Sequence, residues 1–313
     1  MQDSLVVLSG NAHPELAKKI SEKIGVPLGE MEVFKFADDE SFCKINVNIR
    51  KRDVFIIQPT CRPVNDNLME LLIIIDACKR ASARSITAVV PYYGYSRTDK
   101  KDQPRVPITA KLVADLLTVA GASRVLTVDL HAAQIQGFFN IPVDELTALN
   151  ILGNYFKKKG YKDVVVVASD IGATKRARDL GAMLNVPLAI MEKRRLGNED
   201  KTETLNVIGD VKDKIAITVD DEIDTAGSLV GVVTTLINHG AREIHSCCTH
   251  PIFSGPAIER ISASPVKEVV VTDTVPVPEQ KRIDKITVIP IAPLLGEAIK
   301  RIHTGQSVGA MFE

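Results

Sequence analysis

The chain repeats itself. Its first half reads LVVLSG followed by ELAKKISEKIGVPLGEMEVFKF, and its second reads VVVVASD followed by KRARDLGAMLNVPLAIMEKRRL, with Val-Pro-Leu at 26–28 and again at 186–188. The pairing continues as DVFIIQPT (53–60) with KIAITVDD (214–221), SITAVVPYYG (85–94) with EIHSCCTHPIFSG (243–255), and RVLTVDL (124–130) with EVVVTDT (268–274). A common order of apolar runs confines the chain to two copies of one architecture. The runs are short and β-branched, and helical patterns of about 10–15 residues separate them, as in parallel strands buried on both faces. The sequence therefore predicts an α/β protein with two tandem doubly wound parallel-sheet domains. The expected boundaries are 1–148 and 149–303. The second ends in an amphipathic helix over about 293–303 stopped by Gly305, and the tail 304–313 is expected to pack on the first domain.

Length and composition agree. A chain of 313 residues suits two domains, and 45% hydrophobic with 25% charged residues is the balance of a globular protein. Thirty-nine basic and 39 acidic side chains cancel, which excludes bulk attraction to nucleic acid or an anionic membrane. Any anion binding must be local. The five cysteines (Cys43, Cys61, Cys78, Cys247, Cys248) form no CxxC and read as reduced thiols, which places the chain in the cytoplasm. MQDSLVVLSG is a buried strand and no signal peptide. LMELLIIIDA (68–77), interrupted by Glu70, falls short of the roughly 20 residues a membrane helix needs and reads as a buried helix.

Ligands of open parallel sheets collect outside the carboxyl ends of the strands, so the loops there hold the candidate chemistry. VDDEIDTAGSL (219–229) joins the strand KIAITV to a helical pattern. Backbone N–H groups at such a turn cradle an anion, most simply a phosphate. Thr225 and Ser228 add hydroxyls, and Ala226 and Gly227 keep the backbone approachable. Asp220, Asp221 and Asp224 repel phosphate, so their partners are hydroxyls or a shared divalent cation. A phosphorylated sugar meets both needs, pointing to ribose 5-phosphate chemistry. The pattern resembles the ribose-phosphate loop of the phosphoribosyltransferase fold, and by itself leaves salvage transferases and diphosphokinases open.

Other strand ends add to it. VVVVASDIGATKRARDL (164–180) repeats the strand–loop–helix pattern, its helix start with Lys175, Arg176 and Arg178 suited to a second phosphate and Asp170 placed to ligate magnesium. His131 follows the strand VLTV beside Asp129. The stretch 89–117 places Arg97, Thr98 and Asp99 in a charged loop suited to a nucleotide. MEKRRLGNEDKTE (191–203) reads as a mobile basic loop able to close Lys193 and Arg195 over transferring phosphates.

Together these stretches resemble the ribose-phosphate pyrophosphokinase (phosphoribosyl diphosphate synthetase) family, mainly its phosphate-regulated class. The resemblance rests on FKFADDE (34–40), NDNLMELLIIIDACKRASA (65–83), SRTDKKDQPRVPITAKLVADLL (96–117), DLHAAQIQGFF (129–139), KRR (193–195), DDEIDTAGS (220–228) and THPIFSGPA (249–257). It implies a transferase that moves the diphosphoryl group of ATP to the C1 hydroxyl of ribose 5-phosphate, with Mg2+, in a homohexamer built from dimers. It also implies roles. His131 and Asp170 hold magnesium, and Lys193 and Arg195 belong to the catalytic loop. Phe36, Asp38 and Glu40 of a neighbouring subunit, with Arg97, Thr98 and Asp99, hold ATP. Asp220, Asp221, Asp224, Thr225, Ala226, Gly227 and Ser228 hold ribose 5-phosphate. The chain has no G-x-x-x-x-G-K-[ST], so ATP is not held by a P-loop.

Two positions depart from the family pattern. Thr98 stands where glutamine is usual, and Ser307-Val308-Gly309 where the regulated class has Ser-Val-Ser. A non-catalytic synthetase-associated subunit is the alternative of a different class. It would show damage among the residues assigned above, and His131, Asp170, Lys193, Arg195, Asp220, Asp221 and Asp224 are all present.

Overall fold

The computed structural model describes residues 4–195 and 203–312. The chain divides into two units: 1–146 with 274–276 and 290–313, and 147–273 with 277–289.

The first unit opens with β1 (Leu5–Ser9), α1 (Pro14–Ile24), β2 (Met31–Lys35) and β3 (Ser41–Ile45). It continues with β4 (Asp53–Ile57), α2 (Val64–Arg80), β5 (Ser85–Val90), α3 (Thr109–Ala120), β6 (Arg124–Val128) and β7 (Val143–Leu146). Five strands form a parallel sheet in the order β1-β4-β5-β6-β7. β4 is buried at all five residues, which is why it reads as an unbroken apolar run. Val6, Leu8, Val54 and Ile56 share one core with Leu71, Ile74 and Ile75 of α2 and Val113 and Leu117 of α3.

The second unit runs α4 (Leu149–Lys159), β8 (Val164–Ala168), α5 (Thr174–Leu184), β9 (Leu188–Arg195), β10 (Glu203–Ile208) and β11 (Ile215–Ile223). It ends with α6 (Gly227–Asn238), β12 (Glu243–Pro251), α7 (Ala257–Ala263), β13 (Glu268–Thr272) and β14 (Ile286–Ile289). Its seven strands lie in the order β10-β9-β8-β11-β12-β13-β14. All pair in parallel except β10, which runs antiparallel to β9 at the edge. The pleat sorts β8 cleanly. Val165 and Val167 face the core shared with Leu229, Val232 and Leu236 of α6, while Val164, Val166 and Ala168 face Leu152 and Phe156 of α4 and Leu180 of α5. Each such valine removed from water contributes roughly 1.5–3 kcal/mol before chain entropy is set against it.

The repeat survives as geometry. Leu188 pairs with Val166 in the second unit, and Leu28 forms an isolated parallel bridge to Val7 in the first. Both sheets thus follow the doubly wound order 2-1-3-4-5, whose switch point lies between the first and third strands. After its Val-Pro-Leu each copy builds an antiparallel pair, β2 with β3 and β9 with β10. Only the second stays in the main sheet. The parallel reading of the sequence therefore missed two antiparallel pairings.

The last helix, α8 (Ala292–Thr304), ends at Gly305 in the left-handed region (φ 69°). It belongs to the first unit and not to the second, where it was expected. It packs on α1 closely enough that a Cβ on Gly296 would lie 3.0 Å from Lys23 Cγ. Its His303 Nδ1 donates to Asp53 Oδ2 at 2.8 Å. All five cysteines are free, four of them buried. No described helix is long and apolar enough to cross a membrane.

Candidate functional site

In the second unit the switch point lies between β8 and β11, and the expected sugar-phosphate residues gather there. β11 is longer than the sequence suggested. It runs through Asp220 and Asp221 to Ile223, held by β12 (Asp220 beside Cys248, Glu222 beside His250), so the first two carboxylates sit on a strand and not in a loop. Ladder pairing fixes their backbone, a firmer mounting than a turn provides.

The loop proper is short. Ala226 takes the left-handed conformation (φ 59°, ψ 13°), turning the chain into α6, whose first residue is Gly227. The N-cap, Ala226, makes no side-chain cap bond, and the first N–H groups with the positive end of the helix dipole suit an anion. Thr225, Gly227 and Ser228 are exposed around them. The segment 251–260 braces the loop from behind: Phe253 N donates to Ile223 O at 3.0 Å, Ser254 N to Asp224 O at 2.9 Å, and Arg260 Nη1 to Thr225 O at 3.0 Å. A Cβ on Gly227 would lie 3.4 Å from that guanidinium nitrogen, so Arg260 adds positive charge beside the anion cradle.

Asp220 is a strongly perturbed carboxyl. Burial and then the neighbouring Asp221 carboxyl push it well above the usual carboxylate range, while Ser169 acts against them. Ser169 Oγ donates to Asp220 Oδ2 at 2.7 Å and Asp221 N to Asp220 Oδ1 at 2.9 Å. Arg176 of α5 reaches within 3.8 Å of Asp221 Oδ1. Asp170, exposed in the loop after β8, accepts from Ala173 N at 2.8 Å through Oδ1. Ser169, Arg176 and Arg260 were not singled out by role in the sequence. Only Arg176 left a signal, as part of a basic helix start.

The first unit carries the expected nucleotide residues. Phe36, Asp38 and Glu40 form the exposed tip joining β2 to β3. Phe36 N donates to Glu40 O at 2.8 Å, and Asp38 Oδ1 accepts from Glu40 N at 3.2 Å. Arg97 is exposed, Thr98 half-buried and Asp99 buried. Asp99 Oδ2 accepts from Gln134 Nε2 at 2.7 Å, which ties the 95–99 turn to the 3-10 helix Ala133–Phe138 just after His131. Asp99 thus braces the loop of His131, itself exposed. The crevice matching the sugar-phosphate site is filled here. Gln58 Oε1 accepts from Ala12 N, and a Cβ on Gly10 would lie 2.3 Å from Gln58 Oε1 and 2.9 Å from Glu70 Oε1.

Lys193 and Arg195 lie on β9, paired with Leu205 and Glu203 of β10. The stretch read as a loop therefore begins and ends as paired strand. The side chains of Lys193 and Arg195, and the expected mobility of 196–202, lie outside the described residues.

A doubly wound sheet with paired carboxylates and an anion cradle at its switch point defines a class, the α/β transferases of phosphoribosyltransferase type. A family model for the N-terminal domain of ribose phosphate pyrophosphokinase matches residues 5–121, and one for a phosphoribosyl synthetase-associated domain matches residues 196–313. The chain belongs to the ribose-phosphate pyrophosphokinase family. It is 57% identical over 311 residues to the ribose-phosphate pyrophosphokinase of Caldanaerobacter subterraneus, covering 99% of this chain and 98% of the relative. Against the ribose-phosphate pyrophosphokinase of Fusobacterium nucleatum the identity is 50% over 312 residues, with coverages of 99% and 98%. Among solved structures, phosphoribosylpyrophosphate synthetase from Mycobacterium smegmatis superposes with a TM-score of 0.92 at 41% identity, covering 96% of this chain and 99% of that one.

Proposed function

We infer that the protein transfers the diphosphoryl group of ATP to the C1 hydroxyl of ribose 5-phosphate, giving 5-phosphoribosyl 1-diphosphate and AMP for nucleotide biosynthesis. The C1 oxygen attacks the β-phosphorus and loses its proton. The bond from the β-phosphorus to the oxygen bridging the α-phosphate breaks, and AMP leaves with that electron pair. Such transfers depend on in-line positioning and charge neutralisation more than on covalent chemistry by the protein.

The observation that carries the residue-level reading is the left-handed turn at Ala226 into the start of α6 beside two strand-mounted carboxylates. Thr225 to Ser228 hold the 5-phosphate, and Asp220, Asp221 and Asp224 accept hydrogen bonds from the sugar hydroxyls. Phe36 walls the adenine while Asp38, Glu40, Arg97 and Thr98 hold the rest of ATP, with Asp99 acting through its loop. Lys193 and Arg195 stabilise charge on the transferring phosphates.

Mg2+ is the cofactor of this reading. Among the described residues no three His, Cys, Asp or Glu side chains converge on a cage, and magnesium characteristically takes one or two carboxylates together with substrate phosphates. Asp170, a hard oxygen donor, fits that set better than the softer imidazole of His131, the second proposed ligand. When bound, the ion offsets charge on the phosphates. The protein is further proposed to work in the cytoplasm as a homo-oligomer, a hexamer built from dimers.

The test is direct. Purified protein with ATP, ribose 5-phosphate and magnesium is expected to yield AMP and phosphoribosyl diphosphate in equal amounts, and Asp224→Ala to raise KM for ribose 5-phosphate more than that for ATP. Absence of both products overturns the reading.

A further inference from the structure

The β2–β3 hairpin stands apart from the main sheet of its unit, yet its tip carries three residues proposed to meet the nucleotide. Its inner face, Met31, Val33, Cys43 and Ile45, packs on the first unit's core. Its outer face presents Phe34, Phe36 and Phe42, their ring centroids 5.0–5.5 Å apart, with Phe36 48% exposed. Apolar packing resists lifting but leaves sliding along α2 open, because it is non-directional. Gly29 N donates to Val7 O at 2.8 Å and holds the foot of the hairpin, and two directional ties lie further out. Asn11 Nδ2 donates to Val33 O at 3.3 Å, and Lys35 Nζ pairs with Asp66 Oδ2 at 2.6 Å.

Both ties lie at the surface, and they differ in what anchors them. Lys35 and Asp66 are exposed, a setting in which ion pairs contribute little. Asn11, itself exposed, is anchored on a buried group. Glu70 of α2 is buried, and a buried carboxylate requires donors. It takes Asn11 N on Oε1 at 2.6 Å, Asn11 Nδ2 on Oε2 at 2.9 Å and Gln58 Nε2 on Oε1 at 2.9 Å. Both donor groups of Asn11 are thereby oriented, and the amide that satisfies Glu70 is the one that reaches β2.

We propose that Asn11, oriented by Glu70, is a positioning residue for the nucleotide: it sets the placement of the β2–β3 hairpin and hence of Phe36, Asp38 and Glu40. This rests on the reading of those three residues as ATP-binding. Loss of the Asn11 side chain leaves Glu70 its bonds from Asn11 N and Gln58 Nε2, so the fold persists while the hairpin loses its tie to Glu70.

Steady-state kinetics of the full-length enzyme with both substrates test this. Asn11→Ala is expected to raise KM for ATP about fivefold, the order of one hydrogen bond, while kcat and KM for ribose 5-phosphate stay within about twofold. Asn11→Asp, which turns an oxygen toward Glu70 where a donor stood, is expected to raise it at least as far. Lys35→Ala should have the smaller effect. An unchanged KM for ATP in Asn11→Ala, or equal losses toward both substrates, overturns the proposal. Phe36→Ala separates the two layers. If it leaves KM for ATP unchanged, the ATP-binding reading itself fails; if it raises KM while Asn11→Ala does not, only the positioning role falls.

Discussion

Asp220 shows how a single position joins sequence to chemistry. Its carboxyl is pushed upward by burial and by Asp221, and a hydrogen bond from the Ser169 hydroxyl favours the ionised form. An ionised Asp220 is the form that accepts from a sugar hydroxyl, so activity should fall on the acid side as it takes up a proton. Ser169→Ala removes a bond that favours ionisation. The acid limb of kcat/KM for ribose 5-phosphate should therefore move to higher pH by about half to one pH unit, the equivalent of one hydrogen bond of about 1 kcal/mol. A limb that stays in place would mean that Ser169 does not tune Asp220. The three aspartates were legible because acidic residues beside a Thr-Ala-Gly-Ser turn form a local pattern. Ser169 was not, since it sits 51 positions away from Asp220 and meets it only through the pairing of β8 with β11.

At the scale of elements, α8 was legible as a helix but not as a member of the first unit. Its apolar spacing and the Gly305 stop are local signals, whereas the bond from His303 to Asp53 joins positions 250 apart. Asp53 collects Arg84 Nε at 2.7 Å, Ser85 Oγ at 2.6 Å and His303 Nδ1 at 2.8 Å. Burial alone would raise its carboxyl, but these bonds prevail and hold it at about 2, below its ordinary 3.8. The sign follows. A depressed carboxylate stabilises the fold above its unfolded value and loses that contribution as pH falls through its folded one. The stability difference between the native chain and Asp53→Asn, read from urea midpoints, should be steady from neutrality to about pH 4 and shrink between about 4 and 2. A difference that is flat across that window would show that Asp53 does not hold α8 through its charge.

For the whole molecule, the duplication was the most legible feature, because equivalent apolar runs recur in one order whatever the loops between them do. What the sequence concealed was how the copies diverged. Val-Pro-Leu leads into both β2 and β9, yet only β9 continues in its unit's main sheet, a difference that depends on which edge each segment finds. The contents of the two switch points diverge as well: Asp220, Asp221 and the start of α6 in one, Gln58 and Glu70 in the other. That contrast sets a stoichiometry. With the equivalent position in the first unit taken up by the protein's own amide and carboxylate, a chain that contains two such folds should saturate at one equivalent of ribose 5-phosphate in calorimetric titration, and a second equivalent would require Glu70 to give way.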